Sequence, residues 1–173
     1  ISKHNDNPKD ESFVAEENLG NPYDGLKRVI VEATPKDSKI GKKSLTTFHP
    51  LESSKKYTIG LALPKTGRTH QIRVHAKEHG FPLVGDKLYL GGYSLFQRFK
   101  DNIYTDQDCE DVIAPRHFLH AFAINIKYQN QEKTFISPMS KDMQTFYKEH
   151  FKKDSETLLK HASDVVSDYF TKK

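Results

Sequence analysis

A run of cationic and imidazole side chains, set between a strand pattern and a glycine, constrains the fold of this chain more than any other feature. Over 64–77 the sequence PKTGRTHQIRVHAK holds four lysine or arginine residues, two histidines and no carboxylate. It follows the β-type segment 56–63 and ends shortly before Gly80, a residue that suits the C-terminus of a helix. The spacing predicts a short basic helix over 70–79, capped by Thr69 and reached from the strand through a tight turn.

The rest of the pattern predicts an α+β fold. Three β-type segments with short polar connections precede the basic helix and a hairpin pair follows it, which favours a mostly antiparallel mixed sheet with the helix embedded in it. Residues 90–115 lack such a pattern and are expected to form a long excursion with one helical turn. Apolar residues then recur at helical spacing, which predicts C-terminal helices. The predicted strands are 26–34, 44–52, 56–63, 117–128 and 133–137, and the predicted C-terminal helices begin near Ser140 and Ser155.

Composition divides the chain into three expected parts. Residues 1–25 are rich in Asn, Asp, Glu, Pro and Gly, and we expect an extended or poorly ordered lead-in there. Residues 26–152 are expected to fold, and 153–173 to form a C-terminal helix. A hydrophobic share of 35% and a mean hydropathy of −0.74 are low for a self-contained domain. Together with Ile1 at the first position, they suggest a piece of a longer protein.

Charge and cysteine content narrow the class of partner and the compartment. Lys and Arg outnumber Asp and Glu by 27 to 23, and the clustering of cations in one run is the expected footprint of a polyanion. A solvated surface is the alternative interpretation of such a run. The single cysteine, Cys109, cannot form an internal disulfide, and no segment has the pattern of a membrane span or signal peptide. We therefore expect an intracellular, cytoplasmic protein with no membrane partner.

The predicted junction of strand, turn and helix offers a site for a phosphate. Backbone N–H groups are free at the start of a helix, and Arg68 and Thr69 adjoin a glycine that permits close approach. Arg73 lies one turn further along and could pair with a carboxylate or bind a phosphate through two nitrogens. His70 and Gln71 could hydrogen-bond to sugar or base edges. These residue types favour recognition of RNA or of a nucleotide.

Metal binding and cofactor binding are not expected. His75 and His79 stand four residues apart, as metal ligands on a helix often do. No glutamate completes a zincin pattern and Cys109 stands alone, so hydrogen-bonding histidines are the favoured interpretation.

Several segments resemble one enzyme family. PKTGRTHQIRVHAKEHGFPLVGDKLYLGG, at 64–92, closely resembles the signature of the RluA-type RNA pseudouridine synthases. RHFLHAFAINI at 116–126 is similar to the strand that follows that signature, FISPMSKDM at 135–143 to the end of the domain, and GKKSLTTFHPLE at 41–52 to the strand pair that precedes it. The resemblance implies that 26–152 is the C-terminal part of a pseudouridine synthase catalytic domain.

The resemblance also implies a reaction and a set of site residues. These enzymes convert chosen uridines in RNA to pseudouridine without cofactor or metal, after the base is flipped out of its helix. An arginine of the signature pairs with the catalytic aspartate, keeps it ionised and aims it at the sugar; by position this arginine is Arg73. The partner would be structured RNA, either tRNA or rRNA. The predicted RNA-binding residues are Lys65, Arg68, Thr69, His70, Gln71, Lys77 and Arg116.

One departure from the family pattern limits this interpretation. The family's catalytic aspartate lies in a His-Arg-Leu-Asp motif, and no such motif occurs in these residues; the family's active-site tyrosine also has no counterpart. Asp86 matches a family position with a structural role. The chain is therefore expected to supply Arg73 and an RNA-facing wall, to need the missing N-terminal part of the same domain, and to be inactive alone. A homologue that binds RNA without catalysis, or a domain that binds a free nucleotide phosphate, are the alternatives.

Overall fold

An antiparallel sheet of five strands carries the basic helix in the computed structural model, which describes residues 1–4, 10–23 and 29–171. It belongs to the first of two compact units, Ile1–Phe118 and Leu119–Lys173. The strands are β1 (Ser2–Lys3), β2 (Phe13–Gly20), β3 (Glu32–Thr34), β4 (Lys42–Ser53) and β5 (Tyr57–Pro64). They lie side by side in the order β1-β5-β4-β2-β3.

Strands β2 and β4 place small and polar residues on the face that carries helix α1 (Gln71–Glu78). Their register sets Ala15 opposite Thr46 and Glu17 opposite Ser44. Because residues directly opposite in an antiparallel pair share one face, these four side chains lie together. This face is therefore suited to hydrogen bonds with the helix and not to apolar packing alone.

Helix α1 ends where the sequence predicts and begins differently. Gly80 has a φ of 83°, and the N–H groups of Gly80 and Phe81 donate to the carbonyls of Lys77 and Ala76 at 3.0 and 2.7 Å. This pair of bonds is a Schellman ending, for which glycine is the preferred residue. The predicted cap at Thr69 is wrong. His70 is the N-cap, with a φ of 55° and no side-chain capping bond.

The first part of the chain contains an ordered strand. Composition predicts an extended or poorly ordered lead-in over 1–25, whereas β2 within it pairs with both β3 and β4. Its inward positions include Ala15 and Glu17, so its pattern lacks the large apolar alternation that reveals a strand. Of the strand predicted over 26–34, the structure shows β3 only, and residues 24–28 lie outside the described ones.

Two helices occupy the segment for which the sequence predicts one helical turn. They are α2 (Gly92–Lys100) and α3 (Asp106–Val112). Helix α3 starts with a capping box, in which Thr105 and Asp108 each accept a hydrogen bond from the other's backbone N–H. Arg98 of α2 donates two bonds to the Asp108 carboxylate, at 2.8 and 2.5 Å. The prediction of a single turn is wrong because this ion pair joins residues that show no common periodicity in the sequence.

The second unit consists of a hairpin and two helices. Strands β6 (Ala123–Tyr128) and β7 (Gln131–Ile136) pair in antiparallel fashion, and helices α4 (Lys141–Phe151) and α5 (Glu156–Thr171) follow. The two residues between the strands have positive φ angles of 49° and 61°, as in a type I′ turn. The strand predicted over 117–128 begins only at Ala123, because β7 ends opposite that residue and offers no further ladder.

The elements confirm the predicted α+β class, with antiparallel strands and C-terminal helices. None of the helices in the described ranges combines the length and the apolar character that crossing a bilayer requires.

Candidate functional site

Arg73 and Asp86 form a bidentate ion pair at the centre of the candidate site. Arg73 Nε donates to Asp86 Oδ2 at 2.6 Å, and Nη2 donates to Oδ1 at 2.7 Å. The backbone N–H groups of Leu88 and Tyr89 also donate to Oδ1, at 3.1 and 3.0 Å. The carboxylate is fully buried, whereas 16% of the Arg73 side chain is exposed. Arg73 is thus held by a buried partner, while its side chain keeps some exposure to solvent.

Asp86 is ionised in this arrangement. Burial by itself would raise the pKa of its carboxyl, because a charged group is penalised away from water. The hydrogen bonds and charge of Arg73, together with the N–H groups of Tyr89 and Leu88, outweigh burial and lower that pKa below its usual value. A charged carboxylate with this many donors fixes both the position and the plane of the guanidinium.

Tyr89 supports the same guanidinium from below. The carbon at the centre of the Arg73 guanidinium lies 4.8 Å from the centroid of the Tyr89 ring, within the range of a cation–π contact. The Tyr89 hydroxyl donates to the carbonyl of Val31 at 3.0 Å and accepts from the Val31 N–H at 3.1 Å. Burial raises the pKa of Tyr89 to about 12, so the hydroxyl stays protonated. No pattern in the sequence points to a functional role for this tyrosine.

His70 joins the turn to this centre. Its Nδ1 lies 3.0 Å from the Tyr89 hydroxyl, whose one hydrogen is already donated to Val31. His70 Nδ1 must therefore carry the hydrogen of this bond. Burial and the charge of Arg73 lower the pKa of His70, so the imidazole is neutral near pH 7.

The segment after α3 brings a second histidine close to the pair. Partial loss of hydration and the charge of Arg73 lower the pKa of His117, although the residue as a whole is exposed; no sequence pattern singles it out. Its neighbour Arg116, predicted to bind RNA, is exposed and lies with its guanidinium 5.6 Å from the Phe118 ring centroid. This electrostatic effect of Arg73 on His117 arises only in the folded chain, so the sequence gives no sign of it.

Gln71 lies beneath the turn with its amide facing inward. Its Oε1 accepts from the Thr66 hydroxyl at 2.8 Å and from the Arg68 N–H at 2.9 Å, and its Nε2 donates to Leu45 O at 3.0 Å and Thr46 Oγ1 at 2.9 Å. Both hydrogens of the amide are therefore used within the protein. Contact of Gln71 with RNA stays a prediction. In this conformation its amide has no hydrogen left to donate to RNA.

The other predicted RNA-binding side chains are solvent-exposed to different degrees. Lys65, Arg68, Thr69 and Lys77 are exposed; Arg68 Nε donates to the Lys43 carbonyl at 3.1 Å, and Lys77 pairs with Glu78 at 2.7 Å. An open groove of about 630 Å³ runs along the turn. The residues lining it are Leu19, Gly20, Asn21, Val29, Val31, Ile40, Lys42, Gly67, Arg68, Thr69 and His70. The structure therefore brings Arg68, Thr69 and His70 together, and leaves Lys65, Lys77 and Arg116 outside the groove.

His75 and His79, which stand at metal-ligand spacing, bond to protein groups. His75 is completely buried between Ser44 and Thr46, and His79 pairs with Glu17 at 2.9 Å. Within the described ranges, no three His, Cys, Asp or Glu side chains are grouped so that they could hold a metal ion.

Comparison with known proteins finds relatives of this chain among RNA pseudouridine synthases. No model of a protein family matches the chain. Ribosomal large subunit pseudouridine synthase D of Borreliella burgdorferi is 32% identical over 120 residues, which are 69% of this chain and 32% of that protein. Ribosomal large subunit pseudouridine synthase C of Yersinia pestis is 39% identical over 103 residues, 60% of this chain and 29% of that protein. The chain spans about a third of the length of these curated relatives.

Solved structures give the same fold. The human RNA pseudouridylate synthase domain containing 1 protein superposes with a TM-score of 0.58 at 22% identity, over 79% of this chain and 51% of that one. The human domain containing 4 protein gives a TM-score of 0.60 at 18% identity, over 82% and 56%. These structures show the shared fold. The curated relatives, together with the signature at 64–92, show that the chain belongs to the RluA-type family of RNA pseudouridine synthases.

Proposed function

We propose that the full-length protein converts uridine to pseudouridine in structured RNA, and that this chain supplies the active-site arginine, Arg73. The observation that carries the proposal is which nitrogens of the Arg73 guanidinium are already bonded. Asp86 occupies Nε and Nη2, and Nη1 makes no hydrogen bond to any residue in the described ranges. Because a guanidinium has five N–H donors, a second carboxylate can bind at this free side.

The second carboxylate is the catalytic aspartate of the family motif, which this chain does not contain. In the proposed reaction that aspartate attacks the nucleoside, the glycosidic bond breaks, and the uracil is joined again through carbon. Arg73 donates to the aspartate, keeps it ionised and sets its direction. Asp86 and Tyr89 act as positioning residues, because each holds the guanidinium and neither needs to touch the substrate.

The turn and its groove form the proposed RNA-facing wall. Arg68, with Lys65 and Lys77 nearby in sequence, offers positive charge for the phosphate backbone, and the apolar floor of the groove could receive a base. Contacts of this type fix the position of the RNA without reading its sequence. Binding should therefore weaken steeply as salt concentration rises.

Replacing Arg73 by methionine in the full-length protein tests the proposal. We expect turnover on an RNA substrate to fall by about 10²–10³-fold, because a positioned donor to the reacting carboxylate is lost. Pseudouridine formation measured in single-turnover reactions gives the rate, and thermal unfolding monitors the fold. Arg98→Met is the matched control, since Arg98 makes the same kind of bidentate ion pair with Asp108 in another part of the unit. Unchanged turnover in R73M would remove Arg73 from the mechanism.

The 173 residues alone are expected to be inactive. Without the aspartate there is no nucleophile, so RNA that contains 5-fluorouridine should form no covalent adduct with this chain. Gel mobility under denaturing conditions detects such an adduct. An adduct with the chain alone would contradict the proposed division of the active site. RNA binding without turnover by the full-length protein would instead support a non-catalytic homologue.

A further inference from the structure

A chain of hydrogen bonds runs through the core beneath the RNA-facing turn, and backbone groups fix the direction of its first link. The Arg68 N–H can only donate, so the Gln71 atom that it meets is the carbonyl Oε1. The Leu45 carbonyl can only accept, so it meets the amide Nε2. The second hydrogen of Nε2 is therefore donated to Thr46 Oγ1, at 2.9 Å.

The direction of the bonds at the far end of this hydrogen-bond chain is fixed in the same way. Ser44 Oγ lies 2.6 Å from the backbone carbonyl of Glu17, which can only accept, so the one hydroxyl hydrogen of Ser44 is used there. His75 Nε2 lies 2.8 Å from Ser44 Oγ and must donate to it. The other ring nitrogen, Nδ1, lies 2.9 Å from Thr46 Oγ1. In a neutral imidazole Nδ1 then accepts the hydroxyl hydrogen of Thr46.

We propose that His75 is held as the neutral Nε2–H tautomer, and that it positions the RNA-facing turn through the directed chain Gln71, Thr46, His75, Ser44 and Glu17 carbonyl. Each hydrogen in this hydrogen-bond chain is donated to an acceptor, and the Thr46 and Ser44 hydroxyls each donate one bond and accept one. This hydrogen-bond chain links helix α1 to β4 and β2, and Gln71 connects it to Thr66 and Arg68 of the turn. His75 thus acts on RNA contact through other residues.

The charged and titratable groups around His75 agree with this protonation state. His75 and Thr46 are completely buried, and burial lowers the pKa of the imidazole. The Glu17 carboxylate, from β2, lies 3.3 Å from Nε2 and acts in the opposite direction, whereas His79 from the same helix adds to the lowering. Glu17 is also bonded to His79 at 2.9 Å, so its charge is shared between two imidazoles.

Nitrogen NMR of the chain tests the tautomer directly. At neutral pH, His75 is expected to show a protonated Nε2 and an unprotonated Nδ1. A protonated Nδ1, or an imidazolium with both nitrogens protonated, would overturn the proposal. This measurement needs no RNA and does not depend on the proposed function.

Substitutions at Thr46 test the positioning role. Thr46→Val removes the hydroxyl at constant shape, so the backbone amide signals of the turn at 66–70 should shift and their hydrogen exchange should accelerate. Thr46→Ser keeps the hydroxyl and should restore both. Thr47→Val is the matched control, because Thr47 is the next residue of β4 and points to the opposite face. Turn amides that stay unchanged in T46V would overturn the positioning role.

The link to RNA rests on the proposed function and is measured separately in the full-length protein. T46V should raise KM for RNA by about tenfold, the effect of one lost hydrogen bond, with little change in kcat. T46S should recover the wild-type value. If the NMR results hold and KM does not change in T46V, the hydrogen-bond chain stands and the turn is excluded from RNA contact.

Discussion

Replacing Asp86 by asparagine is expected to destabilise the chain by about 3–5 kcal/mol, the usual cost of removing one partner from a buried ion pair. Four N–H groups converge on the two carboxylate oxygens, and asparagine has only one oxygen. If that oxygen accepts from Leu88 and Tyr89, the NH₂ group of asparagine faces the Arg73 Nε–H, donor against donor. Arg73 is then left with an unpaired charge in a mostly buried position.

Urea unfolding of the 173-residue chain measures the loss, and Asp108→Asn provides the comparison. Asp108 also receives two bonds from an arginine, but 39% of the Arg98 side chain is exposed, against 16% for Arg73. Water can therefore solvate Arg98 after its partner is lost, and D108N should cost less than D86N. Equal losses in the two variants would show that burial of the guanidinium does not set the cost.

The pH dependence of stability gives a second signature of the same carboxylate. The pKa of Asp86 is lowered in the folded chain, so the unfolded state binds its proton more readily. The stabilisation is present in full above the ordinary pKa of 3.8 and is lost as the pH falls through the folded value. D86N should remove this acid-labile part of the stability curve. The comparison covers roughly pH 5 to pH 2, the window in which carboxyl groups titrate. If the stability curve of D86N differs from that of the wild type only by a uniform offset in this window, the lowered pKa of Asp86 is contradicted.

The ion pair also shows where sequence reasoning reached its limit. The helix that carries Arg73 and the glycine that ends it were predictable, because helical spacing and a C-terminal glycine are local signals. Asp86 as the partner of Arg73 was not, since the turn that returns the chain to the helix leaves no periodic pattern. The resemblance implies a carboxylate partner for Arg73. The folded chain supplies one from within, and among the described residues none accepts a hydrogen bond from Nη1.

Gln71 and the face of β2 and β4 show a second limit. Nothing in the sequence separates Gln71 from its exposed neighbours Arg68 and Thr69, because all are polar and adjacent to the turn. Burial distinguishes them, since Gln71 reaches backbone groups of β4 from beneath the turn. Likewise, Ser44 and Thr46 are completely or almost completely buried although their residue types favour the surface. Their role depends on His75, which is distant in sequence.

Gly85→Ala is the other substitution with a large expected effect, and it acts through the backbone next to Asp86. Gly85 has a φ of 78°, a region that costs alanine about 1–2 kcal/mol. A Cβ at this position would lie 1.8 Å from the Arg116 carbonyl oxygen and 2.5 Å from its carbon. Neither segment can easily yield, because the Gly85 N–H bonds to Val112 O at 2.8 Å and the Phe118 N–H to Val84 O at 2.8 Å.

Gly80→Ala separates the backbone cost of a positive φ from the cost of steric overlap with Arg116. Gly80 has nearly the same φ, 83°, and a Cβ added to it would meet no atom of the described residues within 4 Å. Its substitution should therefore cost only the backbone term of about 1–2 kcal/mol. We expect G85A to cost about 2–5 kcal/mol in urea unfolding, since overpacking adds to that term. Because Asp86 follows directly, G85A should also displace the carboxylate from Arg73 and lower turnover in the full-length protein. If G85A and G80A lose the same stability, the approach of Arg116 to Gly85 does not constrain the site.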